Sequence, residues 1–166
     1  IERCRAAGKL SNLERALVKQ PISGSIGIGH TRWATHGVPS IENAHPHVSG
    51  QVAVVHNGII ENYQQLKEEL ANDGVTMQTE TDTEVVAHLA NAYLQAGMQP
   101  KDMMQALLSK IQGAFALLIM MAQHPDTLLA ARKHSPLAIA YGDDEMFLGS
   151  DALALAHLSR KISYFV

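Results

Sequence analysis

Three short polar segments of the sequence contain the residue types from which a binding or catalytic site can be built. The first, residues 30–37 (HTRWATHG), combines an arginine with hydroxyl and imidazole groups and follows a Gly/Ile-alternating run at 25–29. A guanidinium among such groups suits bidentate binding of a carboxylate. On composition alone, a surface loop with one structural ion pair explains these residues about as well.

The second segment is His56-Asn57-Gly58, between a predicted strand at 51–55 and a helical pattern that begins near Glu61. Asn-Gly is the commonest tight-turn pair, but a hairpin turn would lead into another strand and not into a helix. A side-chain amide and a glycine N–H beside a helix N-terminus could form an oxyanion hole. The dipeptide alone leaves both interpretations open.

The third segment, residues 79–84 (TETDTE), begins a predicted helix. Thr81 and Glu84 have the spacing of a capping box, which explains both residues without any function. Asp82 has no capping role in that scheme and could bind a substrate ammonium group. Acids in the first turn of a helix are, however, also favoured by the helix dipole.

Nine histidines raise the question of a metal site, above all His45 and His47 with His36 and His56 near them in sequence. No acidic residue accompanies them in a familiar zinc pattern, so no metal site is predicted. The one cysteine, Cys4, has no histidine or acid beside it that would activate it as a nucleophile. We interpret Cys4 as structural.

The composition limits the class of protein. A chain of 166 residues with 46% hydrophobic content suits a single domain. The formal charge of −3, with acids and bases interspersed, argues against a nucleic-acid partner. The apolar run at 114–122 is too short to span a membrane, and the start of the sequence has no secretory signal. A lone cysteine fits a reducing compartment, so a cytoplasmic protein is expected.

Hydrophobic periodicity predicts the elements that must position these segments. A short helix is predicted within residues 1–20, and further helices at about 61–72, 81–96, 101–112 and 151–158. Strands are predicted at 25–29, 51–55, 114–121, 127–131, 137–141, 145–148 and 162–166. The strands between 114 and 148 are separated by turn sequences and predict an antiparallel meander. The mixture indicates the α+β class, with helices covering sheets whose inner faces meet.

Together, the polar segments resemble the glutaminase domains of the glutamine–fructose-6-phosphate aminotransferases, within the N-terminal-nucleophile glutamine amidotransferase family. The similarity covers nearly the whole chain, and related glutaminases share the Asn-Gly pair but not the RWATHG run. The matching stretches are 30–37 (HTRWATHG), 43–47 (NAHPH), 55–62 (VHNGIIEN), 81–85 (TDTEV), 124–132 (HPDTLLAAR) and 149–151 (GSD).

This resemblance implies a four-layer αββα sandwich of the N-terminal-nucleophile hydrolase type, formed by residues 1–166 as one glutaminase domain. The family's nucleophile is a cysteine at the first position of the mature chain, with its own α-amino group as base. Here position 1 is isoleucine and Cys4 does not match that cysteine. The domain is therefore expected to lack its opening segment, and the isolated chain is expected to be inactive.

The resemblance also implies an activity and partners. Enzymes of this family hydrolyse L-glutamine and pass the ammonia to fructose 6-phosphate, bound by sugar-isomerase domains, to give glucosamine 6-phosphate. Such isomerase domains are absent from this sequence. They would be partners in the same parent chain, and a homo-oligomer is expected for the full-length protein. No cofactor is implied.

Roles for substrate-binding residues follow from the matched positions. Arg32 corresponds to the residue that binds the α-carboxylate of glutamine, and Thr35 and His36 to residues lining the same pocket. Asp82 corresponds to the partner of the α-ammonium group, assisted by the backbone of Gly58.

The remaining matched positions concern catalysis and its surroundings. The amide of Asn57 and the N–H of Gly58 correspond to an oxyanion hole for the tetrahedral intermediate. Trp33 corresponds to a gate near the ammonia channel. Three matched histidines are interpreted as structural supports: His45, His47 and His56.

Two other functions remain as alternatives. One is a non-catalytic glutamine-binding module that keeps Arg32 and Asp82 and has no nucleophile. The other is a metal-dependent hydrolase that would use His36, His45 and His47.

Overall fold

The computed structural model describes residues 1–32 and 37–164. A four-stranded sheet of order β1-β2-β3-β4 and a three-stranded sheet of order β6-β5-β7 are both antiparallel, which confirms the α+β class. In chain order the elements are α1 (Leu10–Lys19), β1 (His47–Ser49), β2 (Val52–Ile60), α2 (Tyr63–Asn72), α3 (Thr83–Gln95), α4 (Pro100–Lys110), β3 (Gly113–Met121), β4 (Leu128–Lys133), β5 (Ala138–Tyr141), β6 (Met146–Gly149), α5 (Ala152–Leu155) and β7 (Lys161–Tyr164).

The centre of the larger sheet is the long β2–β3 pair, in register from Val52 opposite Met121 to Ile60 opposite Gly113. Side chains alternate between the faces of a strand, and one face of this pair is apolar apart from His56. That face packs against α2, α3 and α4 and forms the main hydrophobic core. Phe115, at 1% exposed, lies in this core.

Helix α3 packs against β1 and β2 and contacts both neighbouring helices. Val85, Val86 and Leu89 supply its buried stripe at helical spacing. Helix α4 begins with Pro100 at its first turn, where the missing N–H costs no hydrogen bond, and buries Leu107. The predicted ends of α3 and α4 differ from the observed ends by about two residues or fewer.

The smaller sheet has its own modest core. β5 pairs with β6 on one side and β7 on the other, and α5 packs against all three strands. The buried residues of this unit are Ala138, Ala140, Ala152 and Leu155. The predicted meander is therefore divided between two sheets, because the chain leaves the larger sheet after β4 through His134, whose φ is 63°.

The predicted strand at 25–29 is wrong, since these residues form no strand with any described part of the chain. A Cβ atom added at Gly27 or Gly29 would meet nothing within 4 Å. Gly27 and Gly29 therefore do not serve the close backbone approach that the alternating pattern suggested.

Strand β2 continues to Ile60, beyond its predicted end at residue 55. Asn57 and Gly58 therefore lie inside a strand, and the prediction that they form a strand-to-helix junction is wrong. The Asn-Gly pair has the composition of a turn, but it remains extended because β3 is long enough to pair with β2 as far as Gly113. The backbone N–H of Glu61 then donates to the carbonyl of Gln112 over 2.8 Å.

The predicted capping box at Thr81 and Glu84 is also wrong. The carboxylate of Glu84 accepts from the backbone N–H groups of Gln78 and Thr79, at 2.8 and 2.7 Å, and from the hydroxyl of Thr79. It thereby fixes the extended segment before α3 and does not cap the helix. None of the helices in the described ranges is long and apolar enough to cross a bilayer.

Candidate functional site

A cavity of about 430 Å³ lies beside the end of β2 and the start of α3. Its volume is within the range of small-molecule sites. Four predicted site residues from three separate segments line this cavity: Arg32, Asn57, Gly58 and Asp82. The other lining residues are His30, His45, His56, Ile59, Thr81 and Thr83.

Asp82 is the buried acid of this cavity, only 3% exposed. One carboxylate oxygen, Oδ2, accepts from the backbone N–H of Ile60 over 2.8 Å. Among the ion pairs of the described residues, its partner is the His56 imidazole, with Nδ1 at 3.9 Å from Oδ2. A buried carboxylate is costly without a close cation, so this position favours a cationic ligand group.

Arg32 lines the cavity with its guanidinium held by backbone carbonyls. Nη1 donates to the carbonyl of Val38 over 2.8 Å and Nη2 to the carbonyl of Gly37 over 2.9 Å. These two bonds fix the plane of the guanidinium, and its charge lies on the wall of a site that also holds a carboxylate. A ligand carrying both charges would find a complementary group for each.

The loop that holds Arg32 is attached to the segment preceding Asp82. Asn43 and Glu80 exchange two hydrogen bonds, from Asn43 Nδ2 to Glu80 Oε2 at 3.1 Å and from Glu80 N to Asn43 Oδ1 at 3.0 Å. The N–H of Val38 also donates to Glu80, over 3.3 Å. Asn43 and Glu80 therefore help to set the span between the cation and the acid.

Gly58 brings the backbone of β2 unusually close to its neighbour. Its φ is 119°, and a Cβ atom there would lie 2.0 Å from the carbonyl oxygen of Ala114. No side chain fits, so glycine is required for β2 and β3 to remain paired at the cavity. The adjacent Asn57 presents an exposed side chain whose Oδ1 is 2.6 Å from His30 Nε2.

Four histidines form a cluster, of which His30, His45 and His56 line the cavity and His47 does not. The rings of His30 and His45 have centroids 4.1 Å apart, and those of His45 and His47 are 4.8 Å apart. The hydroxyl of Thr83 lies 3.1 Å from His45 Nε2 and 3.1 Å from His56 Nδ1, and so links these two rings. The structure brings these rings together, and the role of structural supports stays a prediction for His45, His47 and His56.

Burial is the main electrostatic influence on this cluster. It lowers the pKa of His45 from 6.5 to about 2 and that of His47 from 6.5 to about 4, and it also lowers the pKa of His30. Neighbouring rings add to the effect at His45. Burial therefore favours the neutral form of all three rings.

A chain of hydroxyl groups connects the cluster to Glu84. His47 Nε2 lies 3.1 Å from the hydroxyl of Thr81, which lies 3.0 Å from that of Thr79, which in turn donates to Glu84 over 2.7 Å. Burial alone would raise the pKa of Glu84, but hydrogen bonds from His88, Gln78 and Thr79 hold it at about 2. Glu84 is thus an ionised acceptor at the end of this chain.

A second cavity, of about 410 Å³, lies between the two sheets and adjoins the first. The cavities share His30, His56 and Asn57. The larger sheet contributes Val55, Ala116 and Leu118 to its walls, and the smaller sheet contributes Leu148 and Gly149. The Asn57 side chain is consequently accessible from both sides.

Three predicted site residues, Trp33, Thr35 and His36, lie outside the described residues. Cys4 is half-buried and lines neither cavity. Within residues 1–32 and 37–164, no group of three His, Cys, Asp or Glu side chains is arranged to hold a metal ion.

Sequence reasoning missed several contributors to the site: His30, Asn43, Glu80 and Thr83. His30 was inside a motif that was singled out for its arginine, and its own contact with Asn57 depends on a partner 27 positions away. Asn43 was quoted only as part of the NAHPH stretch, and nothing in its spacing signals a bond to Glu80. Alternating threonines and acids at 79–84 were the available signal for a buried hydrogen-bond network.

The class of protein follows from comparison with known sequences. Residues 30–157 match a family model described as a glutamine amidotransferase domain. The chain belongs to this glutamine amidotransferase family.

Its curated relatives are glutamine–fructose-6-phosphate aminotransferases (isomerizing). The chain is 57% identical over 164 residues, 99% of its length, to the enzyme of Zymomonas mobilis subsp. mobilis. It is 54% identical over 166 residues, its whole length, to an enzyme of Rhizobium meliloti strain 1021. In both cases it spans only 27% of the length of the relative.

Two solved structures have the same fold over most of the chain. One is the glutamine phosphoribosylpyrophosphate amidotransferase of B. subtilis complexed with ADP and GMP, with a TM-score of 0.65 and 33% identity over 82% of this chain and 29% of that chain. The other, described as the allosteric regulatory enzyme of purine biosynthesis, has a TM-score of 0.66 and 34% identity over 82% of this chain and 30% of that chain. The predicted N-terminal-nucleophile fold is confirmed by this likeness to amidotransferases.

Proposed function

We propose that the chain is the glutamine-hydrolysing domain of an aminotransferase that makes glucosamine 6-phosphate from fructose 6-phosphate and L-glutamine. The family assignment and the names of the curated relatives support this reaction. The observation that carries the proposal is the cavity in which a buried carboxylate, a guanidinium and an exposed carboxamide meet.

Each polar group of L-glutamine has a complementary group in this cavity. Asp82 would bind the α-ammonium group, which provides the cation that this buried carboxylate favours. Arg32 would bind the α-carboxylate by charge-assisted hydrogen bonds. The side-chain amide of the substrate would then extend toward Asn57 and Gly58, whose N–H groups would stabilise the oxyanion of the tetrahedral intermediate.

Three further roles are proposed for residues outside the described ranges. Thr35 and His36 would line the substrate pocket beside Arg32, and Trp33 would gate the route by which ammonia leaves. In a parent protein, sugar-isomerase domains would receive that ammonia, and the full-length protein would form a homo-oligomer.

The nucleophile is proposed to be a cysteine thiolate from outside these 166 residues, since Cys4 lines neither cavity. The thiolate would attack the substrate amide, form a γ-glutamyl thioester and release ammonia, and water would then release glutamate. The cavity between the two sheets adjoins Asn57 and offers space from which such a group could approach. The 166-residue chain alone is therefore expected not to hydrolyse glutamine.

A glutaminase assay on the purified chain and on a chimera tests this function. In the chimera, these residues replace the matching segment of the Zymomonas mobilis enzyme, to which they are 57% identical. We expect glutamate release by the chimera and none by the chain alone. An inactive but folded chimera would contradict the proposed function, and turnover by the chain alone would contradict the external nucleophile.

Calorimetry distinguishes an enzyme domain from a non-catalytic glutamine-binding module. Loss of one charged contact weakens binding by roughly 1.5–3 kcal/mol, or about ten- to a hundredfold. In the active chimera, Arg32→Ala and Asp82→Asn should therefore raise KM by about that factor, with Lys101→Ala as a surface control. Micromolar glutamine binding by the chain, combined with an inactive chimera, would favour the binding module.

A further inference from the structure

The carboxamide of Asn57 can stabilise an oxyanion in only one of its two orientations. Its NH₂ end donates hydrogen bonds, its carbonyl end accepts them, and the two ends have nearly the same shape. If the carbonyl faced the cavity, it would repel the oxygen that becomes negative during the reaction. A partner must therefore select the orientation.

His30 makes the contact that can select it. Its Nε2 atom lies 2.6 Å from Asn57 Oδ1, and both residues line both cavities. A carboxamide oxygen only accepts hydrogen bonds, so this contact is a hydrogen bond in the tautomer of His30 that carries the proton on Nε2. With Oδ1 engaged in this way, the NH₂ end of the same carboxamide turns away from His30.

The position of the His30 ring is itself fixed from behind. It stacks on His45 with 4.1 Å between centroids and 34° between ring planes. His45 in turn is anchored by the 3.1 Å contact of its Nε2 with the hydroxyl of Thr83 on α3. The donor atom of His30 is thus held by the same helix that follows Asp82.

We propose that His30 is a positioning residue that orients the Asn57 carboxamide with its NH₂ group toward the reacting amide of glutamine. This inference rests on the proposed function and adds a residue to it. His30 does not touch the substrate in this scheme. It acts through Asn57, by donating from Nε2 and so preventing a half-turn of the carboxamide.

Kinetics of the chimera test the inference. His30→Ala should lower kcat by about ten- to a hundredfold, somewhat less than loss of a complete oxyanion donor, and change KM by no more than about threefold. His30→Gln keeps an N–H donor and should recover much of kcat. His30→Glu has nearly the same shape as the glutamine variant but only accepts hydrogen bonds when ionised, so it should not recover kcat. His157→Gln, at an exposed histidine outside the cluster, serves as a control and should leave kcat unchanged.

A double-mutant cycle separates positioning from general support of the fold. In an Asn57→Ala background, His30→Ala should cause no further loss of kcat, because the group that it orients is gone. Additive losses would overturn the inference, and so would equal activity of His30→Gln and His30→Glu.

Nitrogen-15 NMR of the 166-residue chain provides a measurement that does not depend on catalysis. The His30 ring should carry its proton on Nε2, and the side-chain NH₂ signals of Asn57 should shift when His30 is replaced by alanine. A proton on Nδ1 alone would overturn the inference even in an active chimera. Conversely, an inactive wild-type chimera would contradict the proposed function. The spectra would still decide the orientation of the Asn57 carboxamide.

Discussion

The two sheets of this domain differ in the size of the hydrophobic core that each one helps to form. On one face of the larger sheet, long side chains such as Phe115, Leu117 and Ile119 pack against three helices and are almost fully excluded from water. The smaller sheet is covered by one short helix, and its buried residues are three alanines and Leu155. Exposed Met146, Leu153 and Tyr164 lie in or beside this smaller unit.

This difference indicates that the larger core fixes the positions of the site residues. Asn57, Gly58, Thr83 and Asp82 all lie on or beside β2 and α3, which are fixed by the larger core. The smaller sheet contributes only walls to the second cavity. We therefore expect disruption of the larger core to remove the site, and disruption of the smaller core to leave its polar arrangement intact.

The largest effect is expected for Phe115→Ala. Truncation of a fully buried aromatic ring leaves a cavity and should lower the free energy of unfolding by about 3–5 kcal/mol. Urea denaturation followed by circular dichroism measures this. The matched control is Phe147→Ala on the half-buried β6, and an equal loss for both variants would contradict the contrast between the two cores.

Acid should weaken the larger unit through its buried histidines. The pKa of His47 is about 4 in the folded state against 6.5 normally, so below pH 6.5 the unfolded chain binds more protons and stability falls as pH falls. The slope is about 1.4 kcal/mol per pH unit for one such histidine. Urea denaturation at pH values between 7 and 5 measures this slope. The range lies above the normal pKa of a glutamate, so protonation of Glu84 does not contribute to it.

His47→Asn supplies the control for the acid effect, because it removes one titrating ring. The variant should be less stable at pH 7 and show a shallower decline toward pH 5. An unchanged slope would mean that protonation of His47 is not part of the acid response.

A smaller and more local effect is expected for Leu155→Ala. The side chain is 5% exposed, but a thin unit can collapse around the gap, so the loss should be near the lower limit of about 2 kcal/mol. Hydrogen exchange should accelerate in β5, β6 and β7 and remain slow in β2 and β3. Equal acceleration in both sheets would show that the two cores unfold as one.

The smallest effect is expected for Asp151→Ala. The Asp151 carboxylate caps α5 by accepting from the N–H of Leu153 over 2.9 Å. Loss of such a cap costs about 1 kcal/mol, and α5 supports only the smaller sheet. Asp151→Asn, which retains a capping oxygen, should remain close to the parent in thermal unfolding, and an equal loss in both variants would point to charge and not to capping.

The sequence was a good guide wherever a pattern is local. Helical periodicity located α2, α3 and α4, and a short apolar run followed by a turn sequence located β3, because each signal lies within a dozen neighbouring residues. The resemblance brought Arg32, Asn57 and Asp82 together in advance, and all three line one cavity. Their roles toward glutamine stay predictions until the kinetics and calorimetry are measured.

The failures concern contacts between distant segments. Thr81 and Glu84 have capping-box spacing, yet the ring of His47 and the backbone of Gln78 compete successfully for their hydrogen bonds. Asn57-Gly58 has the composition of a turn, yet a nine-residue partner strand keeps it extended. Local preference is a weak influence when a buried partner is available, and the sequence does not state which partner that will be.

The close approach at Gly58 has a consequence for protein engineering. Because the Ala114 carbonyl occupies the place of any β-carbon at position 58, a library that randomises this codon has one viable solution, whereas Gly27 faces open solvent. Labels, crosslinkers or new side chains intended to report on the cavity should therefore be introduced elsewhere on its wall, and Ile59, which is 41% exposed, offers the nearest attachment point.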